Sequence, residues 1–329
     1  MQRFIAFGLA FSSFFLVVTG LPRLIAQDNP CLTRTIPVTP IDARGTPLQD
    51  LQASSFLGKV HGRPIAVLST TLNTQPRRIM VCVDMSGSML GSGGVWPVTQ
   101  MMLEDIAESG PLVGQIGMEL FAEKVFDLVN ISSDPHAMRM KVASLRGTNF
   151  EEVVPRRERK TALWDALWQA ADQFTPPRPG DVIYALTDGG DNCSHHAEKQ
   201  LEDKLLSRGI RLFGFVPLIY SNRTPEEASG PTAMRDIVRN TGGNLIYSGP
   251  WTKGERGALP LAAAHQLYQQ MAAYYETGIR LPFALEKRTN LDVVIIDDRG
   301  HKRKDVNLLY PHRLPPCEKT TPMAPSTPN

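Results

Sequence analysis

From Arg77 to Asp84 the chain reads RRIMVCVD, an apolar run that ends on a carboxylate. Apolar residues without polar alternation predict a strand covered on both faces, as in a parallel sheet wrapped by helices. DVIYALTDG, ending at Gly189, has the same design. Around these runs the period changes. VTQMMLEDIAESG places Val98, Met101, Met102 and Ile106 at helical spacing, and HAMRMKVASL reads as a helix. TALWDALWQAADQF gathers Leu163, Trp164, Leu167, Trp168, Ala171 and Phe174 on one helical face. IGMELFAEKVFDLV reads as two strands turning near Glu123 and Lys124. AEKQLEDKLLSRG is a helix with Gly209 as its stop. IRLFGFVPLI, AMRDIVRNTGG, NLIYSG and AAHQLYQQMAAYY continue the alternation of strand and helix. The prediction is an α/β fold with a doubly wound, mainly parallel sheet flanked by helices.

The flanks have another texture. TIPVTPIDARGTPLQDL alternates and turns at Ala43-Arg44-Gly45, and SSFLGKVHGRPIAVLSTTL follows with Gly and Pro punctuation. Near the other end, LDVVIIDDRGHKRKDVNLLYP reads as two strands about a hairpin-type turn at Asp297-Asp298-Arg299-Gly300. A lone hairpin is marginal, so the two outer segments are expected to pair in a small β domain. The expected organisation is 1–26, a signal peptide; 27–76, an N-terminal β segment; 77–275, the α/β domain; 276–316, a C-terminal β segment; and 317–329, a disordered Pro- and Thr-rich tail. There is no internal repeat.

The first residues bear on location. Arg3, the apolar stretch Phe4 to Val18, and small residues at Gly20 and Ala26 have the layout of a secretory signal. Ile5 to Leu21 also approaches the roughly 20 residues a membrane span needs, so retention as an anchor is the alternative. Export, to periplasm, cell surface or medium, is the expectation. Removing residues 1–26 takes away Arg3 and Arg23 and no acid, so the formal charge falls from +2 to 0. A neutral chain lacks the positive surface that nucleic acid requires. The basic run RRERK (156–160) is broken by Glu158 and reads as a solvated loop. Of four cysteines none forms a CxxC pair, which leaves a thiolate zinc site unsupported. Cys82 lies inside the apolar strand, where a free thiol is buried. Cys31 and Cys317 flank the folded region, and a bridge between them would tie its ends, though spacing does not fix connectivity.

Ligands of open α/β sheets bind at the carboxyl ends of the strands. Asp84 and Asp188 close the two buried strands at that edge. In DMSGSM the alternate residues Asp84, Ser86 and Ser88 can point into one loop, with Gly87 allowing a tight bend. Carboxylates and hydroxyls are hard donors, suited to Mg²⁺ or a similar ion with few protein ligands. DMSGSM resembles the Asp-x-Ser-x-Ser motif of the metal-ion-dependent adhesion site in von Willebrand factor type A (VWA) domains. LTDGGDN resembles the second acidic motif of that site, and TALWDALWQA the segment whose leading Thr completes it. The resemblance spans roughly residues 77 to 275. It implies a VWA-like fold and a Mg²⁺ (or Mn²⁺) held by Asp84, Ser86, Ser88, Thr161 and Asp188. It also implies a protein partner that presents an acidic residue to the metal. The family precedes that Thr with glycines, whereas RRERK stands here. Thr148, in RGTNF, is therefore the alternative to Thr161.

Each residue also has a plainer reading. Ser86, Ser88 or Thr161 could cap a helix, and Asp188-Gly189 could be a turn. His195-His196 reads as a solvated pair, since adjacent helical residues diverge. GSGG (91–94) lacks the Lys-Ser/Thr of a P-loop. Ser86 is outside any G-x-S-x-G elbow, and no spacing marks a triad. The expected function is exported, non-catalytic, cation-dependent protein binding or adhesion. The alternatives are a scaffold with an idle metal site, or a metal-dependent hydrolase with Asp191 as the base.

Overall fold

In a computed structural model, the structure describes residues 31–90, 95–108, 113–132, 134–154, 160–217, 225–249 and 257–317. The signal segment, GSGG, the run 156–159 and the tail from 318 lie outside the described residues. In chain order the elements begin with β1 (Thr33–Ile41), β2 (Phe56–Val60) and β3 (Arg63–Asn73). The α/β part comprises β4 (Arg77–Asp84), α1 (Gly87–Leu90), α2 (Val95–Glu108), β5 (Val113–Phe121), β6 (Val125–Ser132) and α3 (His136–Leu145). It continues with α4 (Phe150–Val153), α5 (Leu163–Asp172), β7 (Val182–Leu186), α6 (Glu198–Arg208), β8 (Arg211–Pro217) and α7 (Pro225–Asn240). After β9 (Leu245–Ser248) and α8 (Ala258–Ala272) come β10 (Tyr274–Arg280), β11 (Thr289–Ile295), β12 (Asn307–Leu309) and β13 (Arg313–Leu314).

One sheet has the order β6-β5-β4-β7-β8-β9. Numbered along the chain within the sheet, this is the doubly wound order 3-2-1-4-5-6. All pairings are parallel except β5 with β6, whose antiparallel hairpin closes one edge. All eight residues of β4 and all five of β7 are buried, because helices cover both faces. Helices α2, α3 and α8 pack on one face through Met102, Met138 and Leu267. Helices α5, α6 and α7 pack on the other through Leu167, Leu205 and Ile237. Helix α6 ends where Gly209 turns left-handed (φ 66°), a conformation that costs Gly little.

The second sheet is antiparallel, in the order β12-β1-β10-β3-β2-β11-β13. Each outer segment is interleaved with the other: β10 lies between β1 and β3, and β11 pairs with β2. A separate core of Val38, Phe56, Val60, Tyr275 and Ile279 sits on it. Cys31 and Cys317 are bridged, with Cα atoms 5.3 Å apart, tying the residues before β1 to those after β13. The expected C-terminal hairpin is only half present. The turn forms, with the Asp297 carboxylate accepting from Arg299 and His301 N–H, but β12 leaves β11 and pairs with β1. The edge of β1 offers unpaired backbone groups, and the distant strand satisfies them.

Buried arginines join the two sheets. Arg77, at the start of β4, donates to the Ala272 and Asn73 carbonyls, and Arg211, starting β8, donates to Met271 O at 2.8 Å. Tyr274 lies beneath both guanidiniums, 4.4 and 4.7 Å from its ring centroid. Burial pushes the Arg211 pKa down to about 9.

Candidate metal centre at the sheet edge

Strand order reverses between β4 and β7, and a crevice opens at the carboxyl ends of strands that diverge in this way. Asp84 closes β4 there, and Asp188 follows β7 by two residues. Asp84 is 1% exposed, Ser86 0% and Asp188 8%. Asp84 Oδ1 accepts the Ser86 N–H at 2.8 Å, the short bond that bends the loop back on itself. Ser86 Oγ and Ser88 Oγ approach to 3.1 Å at the start of α1, so two hydroxyls and a carboxylate share one small volume. Met85 N–H donates to Phe121 O, which seats the loop on the end of β5.

The second acidic loop is pinned in a similar way. Asp188 accepts the Gly190 N–H at 3.0 Å. Gly189 adopts φ 85°, and a Cβ there would lie 3.0 Å from the Gly230 carbonyl carbon of α7. Its glycine is required by both the dihedral and the close approach. Thr187 spans the two loops: its hydroxyl donates to Asp84 Oδ2 at 2.6 Å and accepts the Gly189 N–H at 3.0 Å.

Thr161 is 4% exposed and precedes α5, whose N-cap position is taken by Ala162. Its N–H donates to Asn192 Oδ1 at 2.9 Å, and its carbonyl accepts from Asn192 and Cys193 N–H. Ala162 N–H reaches Ala122 O at 2.8 Å. Thr161 is thereby anchored to the loops that follow β5 and β7. Thr148 belongs to a different set of contacts: its hydroxyl donates to Leu145 O at the end of α3, and its carbonyl accepts the Trp96 indole N–H.

Charge is unbalanced at this edge. Burial, and then the negative charge of Asp188, raise the Asp84 pKa to about 7. Neither carboxylate has a cationic side chain as partner among the described residues. Lys160, flagged by the basic run before Thr161, directs its backbone N–H to Glu123 at 3.5 Å. Among the described residues no group of three His, Cys, Asp or Glu side chains is arranged to hold a metal ion. The donors available are therefore two carboxylates and hydroxyls, all hard oxygen, which suits a divalent cation that keeps some of its water.

Three features near the site were not legible beforehand. Thr187 and Asn192 lie inside the quoted acidic motif but looked like ordinary loop residues. Glu119 is 0% exposed on β5, opposite Cys82 of β4, and burial pushes it up to about 8. His195 and His196 do not lie on a helix. They precede α6, and both Nδ1 atoms, at 2.9 and 2.6 Å, meet the Asp165 carboxylate. Only His195 is fully in solvent, whereas His196 stacks on Trp168 with centroids 4.0 Å apart.

No protein-family model matches the sequence, and no curated protein matches it. Solved structures do. An aerotolerance-related membrane protein from Bacteroides fragilis is 19% identical over 59% of this chain and 98% of its own, with a TM-score of 0.43. A von Willebrand factor type A protein from Catenulispora acidiphila is 12% identical over 89% of this chain and 76% of its own, TM-score 0.43. Manganese-loaded Plasmodium vivax TRAP protein is 15% identical over 73% of this chain and 95% of its own, TM-score 0.43. Likeness this distant assigns no activity. This chain's own strand order places DMSGSM and LTDGGDN at the switch point, as the resemblance in sequence implies. The architecture is VWA-like.

Proposed function

We propose that this VWA-type protein binds a protein partner through a divalent cation, Mg²⁺ or Mn²⁺, held at the Asp84–Asp188 edge. The observation that carries the reading is the pair of buried carboxylates at the switch point, with two hydroxyls alongside and no cationic side chain paired with them among the described residues. Asp84, Ser86, Ser88, Thr161 and Asp188 would hold the ion, Asp84 and Asp188 partly through water; Thr148 is the alternative fifth residue. Bound there, the cation would supply an open coordination position for a carboxylate of the partner. The chain's own work is to hold oxygen donors in place, with Thr187 and the Ser86 N–H fixing the Asp84 carboxylate.

The reading is non-catalytic. Asp191, the base considered for hydrolysis, accepts the Ser194 hydroxyl at 2.5 Å and the Trp164 N–H at 3.3 Å, so it caps the first turn of α5. We further propose that residues 1–26 direct export and that the folded part works outside the cytoplasm. Among the described residues no helix is long and apolar enough to cross a membrane.

Calorimetric titration of Mg²⁺ and Mn²⁺ into purified residues 27–329, beside Asp84→Ala, tests the proposal. One saturable site per chain, lost in the variant, is the expected result. A peptide with a free Glu side chain should then bind only the metal-loaded protein. Absence of saturable metal binding in the unaltered protein overturns the reading.

A further inference from the structure

A cleft of about 1040 Å³ opens between α6 and the strands of the C-terminal segment. Lys199, Lys204 and Arg208 of α6 line one wall, and Lys287, Arg288 and Arg313 line the other. Three acids answer these six cations. Asp172 meets Lys204 at 2.7 Å and Arg208 at 3.7 Å. Glu202 meets Arg288 at 2.8 Å and Arg313 at 3.2 Å, and Asp203 meets Arg288 at 2.9 Å. Lys199 and Lys287 are exposed and have no ion pair among the described residues. The walls therefore carry a surplus of positive charge in a chain whose overall charge is near zero.

A second observation points the same way. A smaller cavity of about 240 Å³ adjoins the cleft, sharing Arg208, Arg313, Ser207 and Pro315 with it. Here Nε and Nη2 of Arg34, and Nε of Arg208, are buried with no hydrogen-bond acceptor. Buried donors are almost always satisfied, and an orphaned charged donor is costly. Guanidinium groups offer fixed forks that match the oxygens of phosphate, sulfate or carboxylate. Acceptors are what this corner lacks, and the orphaned donors lie just beneath its surface.

We propose that this cleft binds a small polyanion carrying two or more phosphate or sulfate groups, with one group on the Arg34–Arg208 corner and another between Lys199 and Lys287. At about 1040 Å³ the open cleft has room for a small polyanion. The site is independent of the carboxylate edge, since it shares no residue with it.

The test is calorimetric titration of inorganic tripolyphosphate into the protein at 150 mM NaCl with chelator present. Unaltered protein should bind one equivalent. Lys199→Gln/Lys287→Gln and, separately, Arg34→Gln should each weaken binding about tenfold, a loss comparable to one charged contact. Lys302→Gln/Lys304→Gln removes the same charge from residues outside the cleft and should leave binding unchanged, as should Asp84→Ala. Circular dichroism checks that each variant is folded. No saturable binding overturns the proposal, as does an equal loss in both lysine pairs, which would mean diffuse charge attraction. Binding of poly-glutamate without binding of tripolyphosphate also overturns it, in favour of an acidic-polymer surface.

Discussion

The two ends of strand β4 handle charge in opposite ways. At its start, Arg77 and Arg78 are buried and fully partnered. Arg78 forms a two-pronged pair with Asp181, at 2.8 and 2.6 Å, and a further bond to Pro176 O. Arg77 caps the carbonyls of Ala272 and Asn73. At the other end, Asp84 and Asp188 are just as buried but, among the described residues, have no cationic partner. Burying a charge is tolerated when it is paired and hydrogen-bonded, and is otherwise expensive. The partnered end joins the α/β sheet to its neighbour. At the other end, burial and the charge of Asp188 favour the protonated form of Asp84, whose pKa rises to about 7. Buried charge of equal depth is thus neutralised within the fold at one end of β4 and left for a proton or a ligand to balance at the other, the contrast on which the proposed site rests.

Three changes break or sharpen this contrast. The largest effect is expected from Arg78→Ala, which strands the Asp181 carboxylate. Breaking a buried pair on one side costs about 3–5 kcal/mol, so urea unfolding should show a loss of that order. Next is Glu119→Gln, which probes an unpaired acid in mid-sheet. Burial raises this carboxyl to about 8. The folded chain keeps the proton while the unfolded chain releases it near its ordinary carboxylate pKa. Stability tied to that proton is therefore whole below the ordinary range and is lost as pH rises to about 8. Unfolding free energy of the unaltered protein should fall between pH 5 and 8.5 by more than about 1 kcal/mol, and Glu119→Gln should flatten that slope. The smallest effect is that of Asp84→Asn in chelator. It removes one of two like charges and keeps the acceptor for the Ser86 N–H, so stability should rise by up to about 1 kcal/mol. The same variant should lose the stabilisation that saturating Mn²⁺ gives, about 2.7 kcal/mol at a hundred times Kd.

Much of the α/β sheet is legible from the chain because its strands are continuous apolar runs and its helices carry one apolar stripe. RRIMVCVD and VIYALTD announce both a central strand and the carboxylate that closes it. Most of the outer strands are legible, but β10 is not, since its first residues, Tyr274 and Tyr275, read as the end of a helix, and the strand order is not legible either. Alternation in TIPVTP or DVVII says which side chains are buried, yet nothing in it shows that β10 slots between β1 and β3, or that β12 abandons its hairpin. Long-range pairing depends on which edge remains open once the sheet assembles. The same holds for the finer parts of the edge. Thr187 and Asn192 act by reaching across to Asp84 and Thr161, contacts that no local pattern encodes. Glu119 is hidden because it sits in GMELF as if alternation were turning it to solvent, whereas α5 packs on that face. His195 and His196 looked like neighbours bound to diverge, and a single carboxylate, Asp165, draws both rings together.

The central claim is that the unpartnered carboxylates form one cation site. Paramagnetic resonance of Mn²⁺ titrated into the purified protein reads free ion directly, and measures it most simply. One ion per chain should leave the free-ion signal, with Asp84→Ala and Asp188→Ala each abolishing that uptake and Glu119→Gln preserving it. Uptake that survives both aspartate substitutions, or none in the unaltered protein, would contradict the account.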